Sequence, residues 1–183
     1  MQTTDLLSYN NSPYHPGGNA VKRVLWYYVN ALIFKSSLFP FYGIKNILLR
    51  LFGAKIGNEV EIKPGVSIKY PWLLIIGNEV WVGENVWIDN LVMVTIGSNI
   101  CISQGATLLT GSHDYKKTSF NLITGSIILE DGVWIGAQAI VNQGITVATH
   151  AVLTARSVAT NNLEPYTVYQ GNPAIKVRDR VIG

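Results

Sequence analysis

The sequence predicts an all-β fold: a parallel β-helix of six-residue repeats, with an N-terminal helical segment and a short C-terminal tail. Three observations lead there. In the stretch Ile96–His113, aliphatic residues stand six apart at Ile96, Ile102 and Leu108, and small or aliphatic ones stand six apart at Ile100, Ala106 and Ser112. A period of six is neither the helical period of about 3.6 nor the strand period of about 2; it belongs to short strands and turns coiled and stacked on themselves. The motif Ile56-Gly57-Asn58-Glu59-Val60 returns as Ile76-Gly77-Asn78-Glu79-Val80 and as Ile96-Gly97-Ser98-Asn99-Ile100, 20 residues apart each time. After a break, the six-residue rhythm resumes at Leu129, Ile135, Val141, Val147 and Leu153, with partners at Val133, Ala139, Ile145, Ala151 and Ser157.

The physical reading is a triangular prism. Each hexad makes one short strand and one turn, with the aliphatic residue and its partner pointing inward. Gly, Asn and Asp take the corners, where positive φ is often needed. No coil buries its own core, so stability comes from stacking. The outward slot holds Trp81, Trp87, Cys101 and Trp134. Exposed tryptophans call for a cover: a neighbouring subunit, the N-terminal helices or a ligand.

The 183 residues make one domain plus an appendage, 48% hydrophobic and only 14% charged, so part of the apolar surface is expected to meet other subunits or a membrane. A single cysteine, Cys101, excludes an intrachain disulfide and a zinc–cysteine cluster. The N-terminus has no basic stretch followed by an apolar one, which points to a cytoplasmic chain. The net charge of +3 conceals an asymmetry: residues 1–55 carry six bases against Asp5, and residues 56–183 carry eight bases against ten acids. The basic part is also the most apolar, which suits an anionic surface and argues against nucleic acid.

In chain order, residues 1–19 read as an extended arm, with Asn19 as the N-cap of a following helix. Val24–Phe34, closed by Pro40, and Phe41–Phe52, stopped by Gly53, read as two short helices, completing an N-terminal unit over 1–55. Two uses stay open for residues 20–52. They pack on the main domain or between subunits, or they lie in a membrane interface with Trp26, Tyr27 and Tyr28 at headgroup level and Lys22, Arg23 and Lys35 on anionic lipid. The β-helix spans 56–158, with two extra residues per coil near Tyr70–Trp72 and Asn90–Val92, and a loop at 111–128. A turn and a basic tail with Lys176, Arg178 and Arg180 occupy 159–183.

Functional residues concentrate on loops, and the loop holds His113 where the rhythm breaks. An imidazole there could take a proton near neutral pH, oriented by Asp114 or Glu130. His15 and His150 lie elsewhere, so no zinc ligand set is apparent. Asp89 and Asn90 read either as corner residues or as polar groups facing an acceptor.

The hexads, the segments GSHDY and DGVWIGAQAIVNQGITV and the ending YQGNPAIKVRDRVI resemble the left-handed β-helix acetyltransferases. Within them the chain is similar to the galactoside, maltose and capsule-sugar O-acetyltransferases, and most of all to the colanic-acid biosynthesis type through GGNAVKRVLWYYV, LLRLFGAKIG and YPWLLIIGNEVWVGENV. The resemblance implies a left-handed coil, a homotrimer, acetyl-CoA as co-substrate bound between neighbouring prisms, no metal, and His113 as general base in direct transfer. It implies CoA contacts at Trp134, Gly136, Ala137, Ala155, Thr160, Asn161, Lys176 and Arg178, with Asn161 standing where relatives carry a basic residue. It implies acceptor contacts at Asp89, Asn90 and Asp114. The expected activity is acetyl transfer to a sugar hydroxyl of an exopolysaccharide or capsule precursor, including one lipid-linked at the inner membrane face. A xenobiotic O-acetyltransferase of the same fold and a non-catalytic trimeric scaffold are the alternatives.

Overall fold

Each hexad folds as two or three extended residues followed by a turn, and the coils stack into a left-handed parallel β-helix of triangular section. The computed structural model describes residues 3–183. The first face of the prism pairs Lys55–Ile56, Leu74–Ile76, Val94–Ile96, Ile127–Leu129 and Thr146–Val147 in that order. The second pairs Val60–Ile62, Val80–Val82, Cys101–Ile102, Trp134–Ile135 and Val152–Leu153. The third pairs Ser67–Ile68, Trp87–Asp89, Thr107–Leu109, Ile140–Val141 and Val158–Ala159. Register follows the repeat, so that Ile62, Val82, Ile102, Ile135 and Leu153 lie above one another. These aliphatic columns form the core, each side chain contributing about 1.5–3 kcal/mol on full burial.

Two corners carry one left-handed residue per coil. Glycine and Asn85 and Asn99 supply some, as expected, but Glu59, Glu79, Gln138, His150 and Arg156 also take positive φ. A left-handed non-glycine residue costs about 1–2 kcal/mol. The stack offsets this by giving corner N–H groups an acceptor in the preceding coil, as from Glu79 to Asn58 O (2.9 Å), His150 to Asp131 O (2.8 Å) and Arg156 to Ala137 O (2.9 Å).

The third corner is irregular in three successive coils. A 3-10 turn at Pro71–Leu73, the bend after Asn90 and the excursion after Thr110 stack there. Two buried side chains hold them. Asn90 accepts from Lys69 N (3.1 Å) and Tyr70 N (3.0 Å), and donates to Tyr70 O (2.6 Å) and Leu73 O (3.1 Å). Thr110 Oγ1 donates to Asp89 O (2.8 Å) and accepts from Leu91 N (2.8 Å).

The first coil has no coil before it, and its exposed edge would invite strand addition. The helices cover it. α1 (Ala20–Val29) is capped by Asn19, whose Oδ1 accepts from Lys22 N at 2.8 Å, and runs into a π-helical turn at Asn30–Phe34; α2 spans Tyr42–Leu51. Arg50 donates to Gly57 O (2.7 Å) on the first face. Asn46 donates to Val60 O (2.7 Å), and Lys45 to Lys63 O (3.0 Å), on the second. Trp26 Nε1 donates to Ile68 O (2.8 Å) on the third, where Asn30 Oδ1 accepts from Ile68 N (3.2 Å). Lys45 is fully buried, and burial lowers its pKa. Trp26 is 2% exposed, so of the two uses left open it takes packing on the main domain and not a place at headgroup level: its indole is consumed in closing the prism.

At the other end the expected turn and tail contain a hairpin. Thr167–Gly171 extends the second face parallel to Val152–Leu153, and Ala174–Asp179 returns antiparallel. Arg180 donates to Gly132 O (2.9 Å) and His150 O (3.0 Å), tying the tail to a corner.

Replacing Trp26 by Phe leaves the Ile68 carbonyl without its indole donor, at a cost of about 1–3 kcal/mol. Urea unfolding should show the midpoint falling accordingly; an unchanged midpoint would mean the helical cap contributes nothing through this bond.

Candidate active site

The excursion after Thr110 is a hairpin rather than an open loop. Gly111–His113 pairs antiparallel with Leu122–Thr124, His113 facing Leu122, and Gly125 N donates to Thr110 O (2.9 Å) at its base. His113 thus stands on a short rigid strand that leaves the irregular corner. Its Nδ1 lies 2.9 Å from Phe120 O, and its ring stacks on that of Phe120 with centroids 4.5 Å apart. A carbonyl oxygen only accepts, so Nδ1 carries the proton, and in the neutral ring Nε2 keeps its lone pair. Phe120 sits at positive φ, within the turn that directs this carbonyl at the ring.

Neither expected orienting carboxylate serves. Asp114 accepts from Lys116 N (3.2 Å) and pairs with Lys117 (3.4 Å), bracing the hairpin turn. Glu130 accepts from Thr149 N (2.8 Å) on another part of the prism. The Phe120 carbonyl was not legible as a partner because any residue supplies one.

His113 opens on a cleft of about 380 Å³ whose walls include Tyr9, Tyr14, Lys69, Asp89 and Ser112. The N-terminal arm is one wall, a role its composition did not announce. Asp5 N donates to Thr118 O (2.9 Å), Asn10 N to Asn121 Oδ1 (3.0 Å), and the Tyr9 ring lies 5.9 Å from that of His113. Trp72 anchors the arm by donating to Pro16 O (2.7 Å). Gly17 and Gly18 pass close over its indole at positive φ, where a side chain would strain the backbone and crowd the ring. Tyr14 donates to Leu91 O (2.9 Å); burial, reinforced by Tyr70 and Asp89, pushes its phenol pKa up and keeps it neutral.

Of the expected acceptor residues, Asp89 lines this cleft and pairs with Lys69 at 2.9 Å. Asn90 does not. It is fully buried with its amide committed to the Tyr70–Leu73 backbone, so it positions the corner and cannot contact an acceptor. Asp114 lines a neighbouring cleft with Asn10, His15 and Lys117.

The second group lies apart from the histidine. Trp134 is half-exposed on the second face, aligned with Cys101 and Trp81, and donates to Ser103 Oγ (3.0 Å). Trp87 lies on the third face, so the outward tryptophans form no single stripe. Gly136 and Ala137 turn the corner between the second and third faces. A side chain at Gly136 would strike the backbone of Thr154 and Ala155 in the next coil. Ala155, Thr160, Asn161 and Arg178 are exposed further along the prism. Lys176 lies between Glu164 (3.2 Å) and Asp179 (3.1 Å); their hydrogen bonds raise its pKa, and its charge is already partnered. His113 leaves from a different corner, so the cleft that holds it contains none of these residues. Among the described residues, no group of three or more His, Cys, Asp or Glu side chains could hold a metal ion. His150 instead stacks on Tyr166, with ring centroids 4.7 Å apart.

No family model matches the chain. It is 42% identical over 165 residues, covering 90% of this chain and 91% of the relative, to WcaF of Escherichia coli K12, described as a colanic acid biosynthesis acetyltransferase. It is 29% identical over 136 residues to galactoside O-acetyltransferase of the same organism, covering 72% of this chain and 66% of that protein. Among solved structures, the hexapeptide-repeat acetyltransferase VCA0836 of Vibrio cholerae complexed with acetyl-CoA superposes with a TM-score of 0.79 at 25% identity, covering 88% of each chain. A prism of hexads that departs from its rhythm to present a histidine, matched along nearly its whole length by such relatives, identifies this chain as a member of the hexapeptide-repeat acetyltransferases.

Proposed function

We propose that this protein transfers an acetyl group from acetyl-CoA to a sugar hydroxyl of an exopolysaccharide or capsule precursor in the cytoplasm, with His113 as general base. The observation that carries this reading is the His113–Phe120 contact, which leaves Nε2 free to accept a proton beside a polar cleft. The likeness to WcaF and to galactoside O-acetyltransferase supports a sugar acceptor. The likeness to the acetyl-CoA complex of VCA0836 supports the donor.

In the proposed reaction the sugar hydroxyl attacks the thioester carbonyl while Nε2 takes its proton. The tetrahedral oxyanion collapses, the C–S bond breaks, and the imidazolium returns the proton to the departing thiolate. Backbone N–H groups near the thioester would stabilise the oxyanion. In this proposal the acyl group passes directly to the acceptor, since Cys101 lies on the second face and does not line the cleft of His113. Asp89, charged and paired with Lys69 in the cleft, is the residue best placed to hold acceptor hydroxyls.

The donor-side residues lie at another corner of the prism from His113, which supports a homotrimer in which neighbouring chains complete each site. Trp134, Gly136, Ala137 and Ala155 would line the pantetheine arm, with Thr160, Asn161 and Arg178 nearer the nucleotide. Lys176 would first have to yield its contacts with Glu164 and Asp179.

Exchanging His113 for Ala should lower turnover with sugar acceptors by about 10²–10⁴-fold while calorimetry still finds one acetyl-CoA site per chain. Undiminished turnover would remove the base. Co-expressing His113→Ala chains with Ala155→Trp chains, each inactive alone, should restore part of the activity, because some interfaces then combine two intact halves. No restoration would mean that each chain holds a whole site.

A further inference from the structure

α2 is built with its polarity reversed. Lys45 and Asn46 face inward, where they close the first coil, and Ile44, Ile47 and Leu51 face outward at 47%, 56% and 74% exposure. Their spacing places them on one helical face. The hydrogen bonds of Lys45, Asn46 and Arg50 to the first coil fix the rotation of the helix, so this face cannot turn inward. α1 repeats the arrangement: Trp26 is buried, while Val21, Val24 and Leu25 are each at least 55% exposed. An apolar surface of this kind, held outward by the fold, marks an interaction site.

Charge selects the occupant. No acidic residue lies between Asp5 and Glu59, whereas Lys22, Arg23, Lys35, Lys45, Arg50 and Lys55 do, with Lys35, Arg50 and Lys55 exposed. A second copy of this face would bring like charges together; an anionic lipid surface would complement them. No described helix is long and apolar enough to cross a membrane. We propose that the cap formed by α1 and α2 docks on an anionic bilayer, its apolar face reaching about 5–10 Å into the headgroup boundary. Because the cap closes the end of the prism, the surface stays open when prisms meet along their flanks in the trimer proposed above.

The test is flotation of the full-length protein with phosphatidylcholine vesicles, with and without phosphatidylglycerol. The protein should float with the anionic vesicles and bind them about tenfold less well at high salt. Ile47→Ser with Leu51→Ser should weaken binding by about tenfold or more, with circular dichroism and solution mass unchanged. Lys35→Glu with Lys55→Glu, on exposed side chains, should abolish the preference for anionic lipid. Absence of binding at low salt, equal binding to both vesicle types, or a change of solution mass in the serine variant would overturn the proposal, the last by assigning the face to another copy. Acetylation of a soluble sugar, measured without vesicles, reads the catalytic proposal separately.

Discussion

The strand amides and carbonyls of each coil find their backbone partners in the coils before and after it. From that constraint follow the uniform register, the glycines where coils touch, and the need to finish both ends. At Gly57, Gly77 and Gly136 the next coil approaches so closely that a side chain would strike its backbone. At the first coil three faces of unpaired groups are covered by Trp26, Asn30, Lys45, Asn46 and Arg50. Lys45 and Asn46 are used up there, and α2 turns Ile44, Ile47 and Leu51 outward.

The same constraint makes a departure from the coil costly unless its backbone is satisfied. Asn90 and Thr110 supply that at one corner, each serving backbone groups of the irregular turn in the preceding coil. The histidine hairpin leaves from the top of this stack of irregularities. A rigid prism thereby presents a titratable group on a strand rather than on a pliable loop, with its tautomer set by a backbone carbonyl and its cleft walled by the returning N-terminal arm.

Much of this was legible in the sequence. The period of six places Ile62, Val82, Ile102, Ile135 and Leu153 inside, and the structure buries all of them. The break in period marks His113, and Asn19 marks the start of α1. What was not legible depended on backbone groups or distant partners. The Phe120 carbonyl leaves no trace in residue identity. The burial of Trp26 and Lys45 follows from an uncapped coil far away in sequence (Lys45 to Ile62 O spans 17 residues), whereas local composition left Trp26 open to either packing or a membrane surface and said nothing of Lys45. Asn90 stayed open between a corner residue and an acceptor contact because both have the same letter; its buried amide bridge decides for the corner. The C-terminal hairpin follows a period of two and so fell outside a search for six.

The fold hands His113 to the cleft with Nδ1 bound to the Phe120 carbonyl and, in the neutral ring, Nε2 unprotonated. Long-range ¹⁵N–¹H correlation spectra of histidine-labelled protein, with the ring in its neutral form, test it most directly. The Nδ1–H tautomer is expected at His113, and it should be lost when the hairpin is shortened to remove Phe120. An Nε2–H tautomer in the intact protein would contradict it, since that ring would offer the cleft a donor in place of a base.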